Sequence, residues 1–231
     1  MGPLCKEGGK VTLKVTWKYC VAFYCIGMLY ISLHELAHHF AGYAICGDWG
    51  YKSFNYFSTA CEDTMKSHYA TYAGPAFTFL VMYVGAYFLK KGPSNYRRHL
   101  GFALIFAQWP LQRMTSPFFY MNDEYHATSH LLGQTDLVYW GVIGCIWIIC
   151  MPPLWMAYRA IANRNRLAWF LFYLVLFPYL LVGPVFGTLE YLMVTRGVLA
   201  QTFIGIGLLF ILNEFVTIAL YLRTKRLIEP I

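Results

Sequence analysis

Apolar residues in this chain come in long runs, and polar residues in short bunches between them. Six runs have enough apolar length to cross a bilayer: Trp17–Tyr43, Tyr69–Leu89, Leu100–Tyr120, Leu137–Tyr158, Leu167–Thr188 and Leu199–Leu222. A helical crossing needs about 20 such residues. The pattern predicts an all-α fold, a polytopic transmembrane helix bundle of about six spans. Residues 1–231 read as one membrane-embedded domain, with no long soluble segment between the runs. The fifth and sixth runs are the cleanest, while the first and third carry polar residues. One stretch has a different rhythm. Within Ile45–Lys66, the residues Lys52, Phe54 and Tyr56 alternate with Ser53, Asn55 and Phe57. That alternation predicts either a short strand or β-hairpin at the membrane surface after the first span, or an irregular interfacial loop. The basic N-terminus ahead of an apolar run has the outline of a signal peptide. Cleavage after a small residue near Ala41 or Ala44 would discard the polar motif of the first run, so this run is read as a retained span.

Composition agrees with that class: 58% of residues are hydrophobic, 19% aromatic and 13% charged. The net charge of +7 is not a nucleic-acid signal, because the basic residues are sorted by loop. Lys6, Lys10, Lys14 and Lys18 precede the first run. Lys90, Lys91, Arg97 and Arg98 follow the second, Arg159, Arg164 and Arg166 follow the fourth, and Arg223, Lys225 and Arg226 close the chain. The alternate loops are poor in Lys and Arg and carry Asp48, Glu62, Asp63, Asp123, Glu124 and Asp136. By the positive-inside rule both termini are expected in the cytosol, which an even number of spans requires. Cys20, Cys25, Cys145 and Cys150 fall in spans, where free cysteine behaves as a small hydrophobe. Cys46 and Cys61 share the first non-cytosolic loop; they either pair, if that compartment oxidises, or stay as two thiols.

The first run contains Ile31-Ser32-Leu33-His34-Glu35-Leu36-Ala37-His38-His39-Phe40. Residues four apart share a helix face, so His34 and His38 can hold one metal ion together. Glu35 is the expected general base toward a water at that metal. Ionisable groups are costly in hydrocarbon, so their presence here points to function. If Trp17 marks the inner interface, His34 lies about 25 Å along the helix, just inside the outer boundary. A catalytic zinc needs a third protein ligand besides two imidazoles. The polar cluster after the third run supplies candidates on the same expected side: Asp123 first, then Glu124, His126 and His130. Asn122 and Asp123 read as a helix start, where a carboxylate is favoured. The competing reading of Asp123 is a plain cap, and that of His126 and His130 an interfacial or supporting role. Glu214, beside Asn213, is expected either to pair with another helix or to be protonated, and Pro110 to kink the third span. His68 reads as interfacial, and His39 points about 100° away from His38.

Residues 30–90 resemble the site-2 protease family of intramembrane zinc metalloproteases. His34-Glu35-Leu36-Ala37-His38 matches that family's His-Glu-x-x-His. Phe40-Ala41-Gly42-Tyr43 with the strand-like loop looks like its connection to the next helix, and Ala73-Gly74-Pro75 is similar to its Ala-Gly-Pro. The resemblance implies that His34 and His38 ligate one zinc ion, that Glu35 activates water, and that Asp123 is the third ligand. It also implies a substrate in a transmembrane or membrane-tethered segment. This chain carries Thr78 where the family often has Asn, and Glu124 where Gly usually follows the Asp.

Two other functions compete. A di-iron lipid desaturase or hydroxylase would use His34, His38 and His39 as one box and His126 and His130 as another. Such enzymes typically carry eight or more histidines, and this chain has seven. A catalytically inactive relative acting as a membrane adaptor or chaperone is the other, against which the intact Glu35 argues.

Overall fold

The computed structural model describes residues 10–61 and 65–228. Lys6, Glu62 and Asp63, used above to sort the loops, lie outside the described residues. Helix α1 (Trp17–Cys46) opens on a Thr16 cap, whose hydroxyl accepts from the Tyr19 amide, and closes on Gly47 at φ 79°. A left-handed residue at that position favours glycine, which ends the helix at low steric cost. Short α2 (Ser67–Ala70) leads into α3 (Ala73–Lys91), and α4 (Asn95–Ala107) packs back against it. A Cβ on Gly85 would sit 2.8 Å from the Gly101 carbonyl oxygen, so the two backbones touch. Small residues permit such close packing where lipid offers no hydrophobic drive.

The third expected span does not run through as one helix. α4 stops at Gln108, Trp109 is left-handed at φ 51°, and α5 (Pro110–Thr115) begins afresh. Proline lacks the amide for a continuous ladder and disfavours the α conformation at the residue before it. A 3-10 turn at Ser116–Phe119 leads to α6 (Asp123–Leu132). Then come α7 (Asp136–Ala160), α8 (Arg166–Leu171), α9 (Phe177–Leu181) and α10 (Gly183–Glu190). A wide π-turn at Phe172–Leu176 joins α8 to α9, Val182 links α9 to α10, and a second π-turn at Tyr191–Thr195 extends α10, so one helical stretch runs Arg166–Thr195. The sixth expected span is also shortened. Strands β1 (Thr202–Phe203) and β2 (Ile206–Gly207) form a hairpin, and α11 starts only at Leu208, running to Thr224. Ile204 and Gly205, both at positive φ, make that turn.

The fold is therefore mostly helical with a small sheet, and four helical stretches are long and apolar enough to cross a membrane: Trp17–Cys46, Ser67–Lys91, Asp136–Ala160 and Arg166–Thr195. They mark the chain as a membrane protein. Large apolar side chains point outward from α7, Leu137, Trp140, Ile148 and Trp155 among them. The expected alternation in the loop after α1 becomes a tight turn. Lys52 bridges Phe57, the Ser53 amide donates to the Tyr56 carbonyl at 2.8 Å, and the Ser58 amide donates to the Tyr51 carbonyl at 2.8 Å. Lys52 also bridges Ile206, so the two hairpins make one small sheet across the end of α1. Cys46 and Cys61 are joined by a disulfide that ties this loop to α1. Cys20, Cys25, Cys145 and Cys150 are free thiols.

The core is aromatic: Tyr19, Phe23, Phe102, Phe106, Tyr173 and Phe177 pack together inside α1, α4 and the α8–α9 stretch. Val11, Leu13 and Ile228 join the same cluster, so the first and last described segments meet at one end of the bundle. Val11 pairs there with Ile161, and Asn163 brackets the Leu13 backbone with two hydrogen bonds.

Candidate metal centre

His34 and His38 lie one turn apart on the buried face of α1. α6 brings Asp123 to them from the other side of the bundle. His34 Nε2 is 3.1 Å from His38 Nε2 and 3.2 Å from Asp123 Oδ2, and His38 Nε2 is 3.5 Å from the same oxygen. Four ligands held tetrahedrally at about 2.0–2.1 Å from zinc stand about 3.3 Å from one another.

The remaining ring nitrogens fix what faces the centre. His38 Nδ1 lies 3.0 Å from the Ala70 carbonyl oxygen, an acceptor only, so Nδ1 carries the hydrogen and donates. Nε2 is then the ring atom that faces the centre. His34 Nδ1 is 2.9 Å from Thr78 Oγ1, and in the matching tautomer it donates there. Such outer partners orient metal-binding imidazoles. With both rings carrying their hydrogen on Nδ1, two imidazole lone pairs and a carboxylate oxygen converge, a set that a cation would hold together. The donor set fits zinc, which takes nitrogen and carboxylate oxygen readily.

Local sequence explains the convergence. A Cβ at Gly74 would run into His38 Nε2 and come within 2.6 Å of His34 Cε1. The Ala-Gly-Pro stretch thus leaves room for both rings. Phe57 from the turn after α1 stacks on His38, with centroids 4.3 Å apart and planes 2° from parallel. Glu35 Oε1 lies 4.0 Å from His34 Nε2 and lines a cavity of about 560 Å³ that also touches His34, Asp123, Arg113, Tyr56 and Phe57. A smaller cavity of about 120 Å³ extends from His34 and Glu35 to Gln108 and Trp109, where the third span breaks.

Arg113, which falls inside the third apolar run, Leu100–Tyr120, is part of this site. Its Nη1 donates to Asp123 Oδ2 at 2.9 Å, and Glu124 Oε2 lies 3.7 Å away. Its Nη2 is 3.0 Å from Nδ1 and 2.6 Å from Nε2 of His34. A donor in line with one ring nitrogen would be far from the other. The guanidinium therefore rides over the ring face and leaves the Nε2 lone-pair direction to the centre. No sequence motif marks this arginine. Its one signal was a cation within an apolar run.

The other candidates take different places. Glu124 is buried and turned to Asn122, which donates to Oε2 at 2.9 Å. Burial pushes its carboxyl up, with Arg113 pulling the other way. His126 and His130 do not join His34 and His38; they gather with His68 instead. His39 donates to the Ile204 carbonyl at 2.9 Å and stacks on Trp49, so it holds the second hairpin. Glu214 accepts from Ser32 of α1 at 2.6 Å, a pairing between helices as expected. Lys52 is fully buried, donates to its neighbour's Ser53 carbonyl and lies 3.3 Å from the centroid of the Phe210 ring. Burial pushes its ammonium down to about 7, against the pull of Glu35, Glu214 and Glu190.

Comparisons with protein-family models, with curated proteins and with solved structures return no match.

Proposed function

We propose that the protein is an intramembrane zinc metalloprotease, hydrolysing peptide bonds in or near transmembrane segments, of the kind the site-2 protease resemblance implies. One observation carries the reading. Three lone-pair atoms of His34, His38 and Asp123 stand 3.1–3.5 Å apart, and the Glu35 carboxylate is 4.0 Å from His34 Nε2. A zinc ion held by these three residues supplies Lewis acidity toward water and a peptide carbonyl. Glu35 takes the proton from the attacking water and passes it to the leaving amine. Arg113, a cation lining the same cavity, offsets the negative charge that develops on the carbonyl oxygen. Thr78 and the Ala70 carbonyl hold the two imidazoles in register. The segment 56–58 is an outer edge of the small sheet and borders the cavity, so an unwound substrate strand can pair with it.

The path through the bilayer completes around this site. The interrupted stretch over α4 and α5, and α11, add two crossings to the four long ones. Six crossings agree with both described ends meeting at one end of the bundle. That end also gathers Lys10, Lys90 and Arg159 around one cavity, and by the positive-inside rule this supports reading it as the cytosolic end. The centre then faces the non-cytosolic side, where a disulfide is at home.

Against the di-iron alternative, His39 is committed to a backbone carbonyl, and the two metal-capable triads share no ligand. The test is Glu35→Gln in the full chain, assayed in liposomes on a transmembrane peptide. Hydrolysis should fall about 10²–10⁴-fold, the usual worth of a general base, while bound zinc is unchanged. Full cleavage by that variant would remove Glu35, and with it this mechanism.

A further inference from the structure

We propose that His68, His126 and His130 form a second metal site, which takes one divalent transition-metal ion through three imidazoles and clamps α2 to α6. It stands on its own geometry and does not depend on the protease reading. One ligand nitrogen from each ring lies within 4.8 Å of the others. His126 and His130 are one turn apart on α6, and His68 reaches them from α2. The His68 and His130 rings stack with centroids 4.4 Å apart, and those of His126 and His130 are also 4.4 Å apart. His130 Nδ1 donates to the His126 carbonyl at 2.8 Å, which fixes the tautomer and leaves Nε2 as the ligand atom.

The donor chemistry selects the ion. Three neutral imidazoles suit zinc, copper, nickel or iron(II), not calcium or magnesium, which seek oxygen. His126 and His130 are exposed, so small ring rotations can bring the nitrogens to the about 3.3 Å spacing of a tetrahedral site. A cavity of about 510 Å³, lined by His126, His130, Tyr120, Tyr139 and Asp136, opens beside them and leaves the fourth position to water.

The site would brace the first one from both sides. Ala70, two residues beyond His68 on α2, accepts from His38. Asp123, one turn before His126, begins α6. Tyr72 and Thr128 share a hydrogen bond at 2.8 Å across the same junction. An ion on the three histidines therefore fixes the separation between the carbonyl that orients His38 and the carboxylate that faces it.

The experiment is zinc stoichiometry on the full chain in detergent, stripped with chelator and refilled with Zn²⁺ alone. Wild type should hold two equivalents. His68→Asn, and separately the double variant His126→Asn/His130→Asn, should each hold one. His34→Asn/His38→Asn should also hold one, and added zinc should raise its melting temperature. Adding His68→Asn to that last variant should abolish the rise. His130→Asn alone, at an exposed position, repeats the test without touching the core. Two equivalents retained in both His68→Asn and His126→Asn/His130→Asn would overturn the proposal, as would a wild-type protein with one equivalent that only His34→Asn/His38→Asn removes. A single wild-type equivalent lost in His68→Asn and kept in His34→Asn/His38→Asn would uphold this site and refute the first.

Discussion

At the scale of single residues, the strictest demand in the site falls on a side chain that is not there. Gly74 faces both imidazoles, and any Cβ would push into them. The fault in a Gly74→Val variant lies in the site, because the rings must turn away while the α3 helix itself continues. The expected result is loss of one zinc equivalent with helical content retained by circular dichroism; a full zinc complement in that variant would mean the rings do not converge as described. Much of the site was legible in single residues. The spacing of His34 and His38 announces a shared helix face, with Glu35 next to it in sequence, and Asp123 at a helix start was the first candidate to join them. Thr78, the Ala70 carbonyl and Arg113 were not legible as partners. Each acts through a contact between segments distant in sequence, and none belongs to a local pattern. His126 and His130 showed their i, i+4 spacing, but the partner that gathers them, His68, lies 58 residues before His126 and is set by packing.

Among elements, the turn after α1 depends on one carboxylate. Glu190 of α10 accepts from Ser53 Oγ at 2.8 Å, from the Phe54 amide at 2.8 Å and from the Asn55 amide at 3.3 Å. Phe54 is fully buried, so its amide has no ready substitute acceptor in water. Leaving a buried donor unpaired costs about 1–3 kcal/mol. Glu190→Ala should therefore speed amide exchange at Phe54 and Asn55, read by hydrogen exchange and mass spectrometry, and slow cleavage through a looser cavity rim. Unchanged exchange at both amides would show that Glu190 does not hold the turn. Alternation along the loop left a strand and an irregular loop both open, and the partner strand at Ile206 comes from the expected sixth span. Hydropathy reads β1 and β2 as apolar helix because Phe203, Ile204 and Ile206 score alike in either state. The break at Trp109 was foreshadowed only as a kink; proline sets its place, and the protein-lined cavity around it tolerates the interrupted backbone.

Taken as a whole molecule, the arrangement requires the loop after α1 and the start of α6 to share one side of the membrane. Single cysteines introduced at 56 and 121, both exposed positions, in a chain whose free thiols are replaced, should react with an impermeant maleimide from the same face. Positions 91 and 164 should react from the opposite face. Labelling of 56 and 121 from opposite faces would leave no common centre. The class of the molecule was plain from its apolar runs, because bilayer thickness fixes their length; the count of uninterrupted helices was not, because proline and glycine act through local geometry. The distance along the chain between His34 and Asp123, 89 residues, has a consequence for biosynthesis. At about 5–20 residues per second, the ribosome needs several seconds to pass from one to the other. Throughout that interval the emerging chain carries Glu35 and two imidazoles but lacks the carboxylate. The three-residue cluster exists only once α6 has been made and has docked. An ion held there, as proposed above, would therefore report a finished bundle.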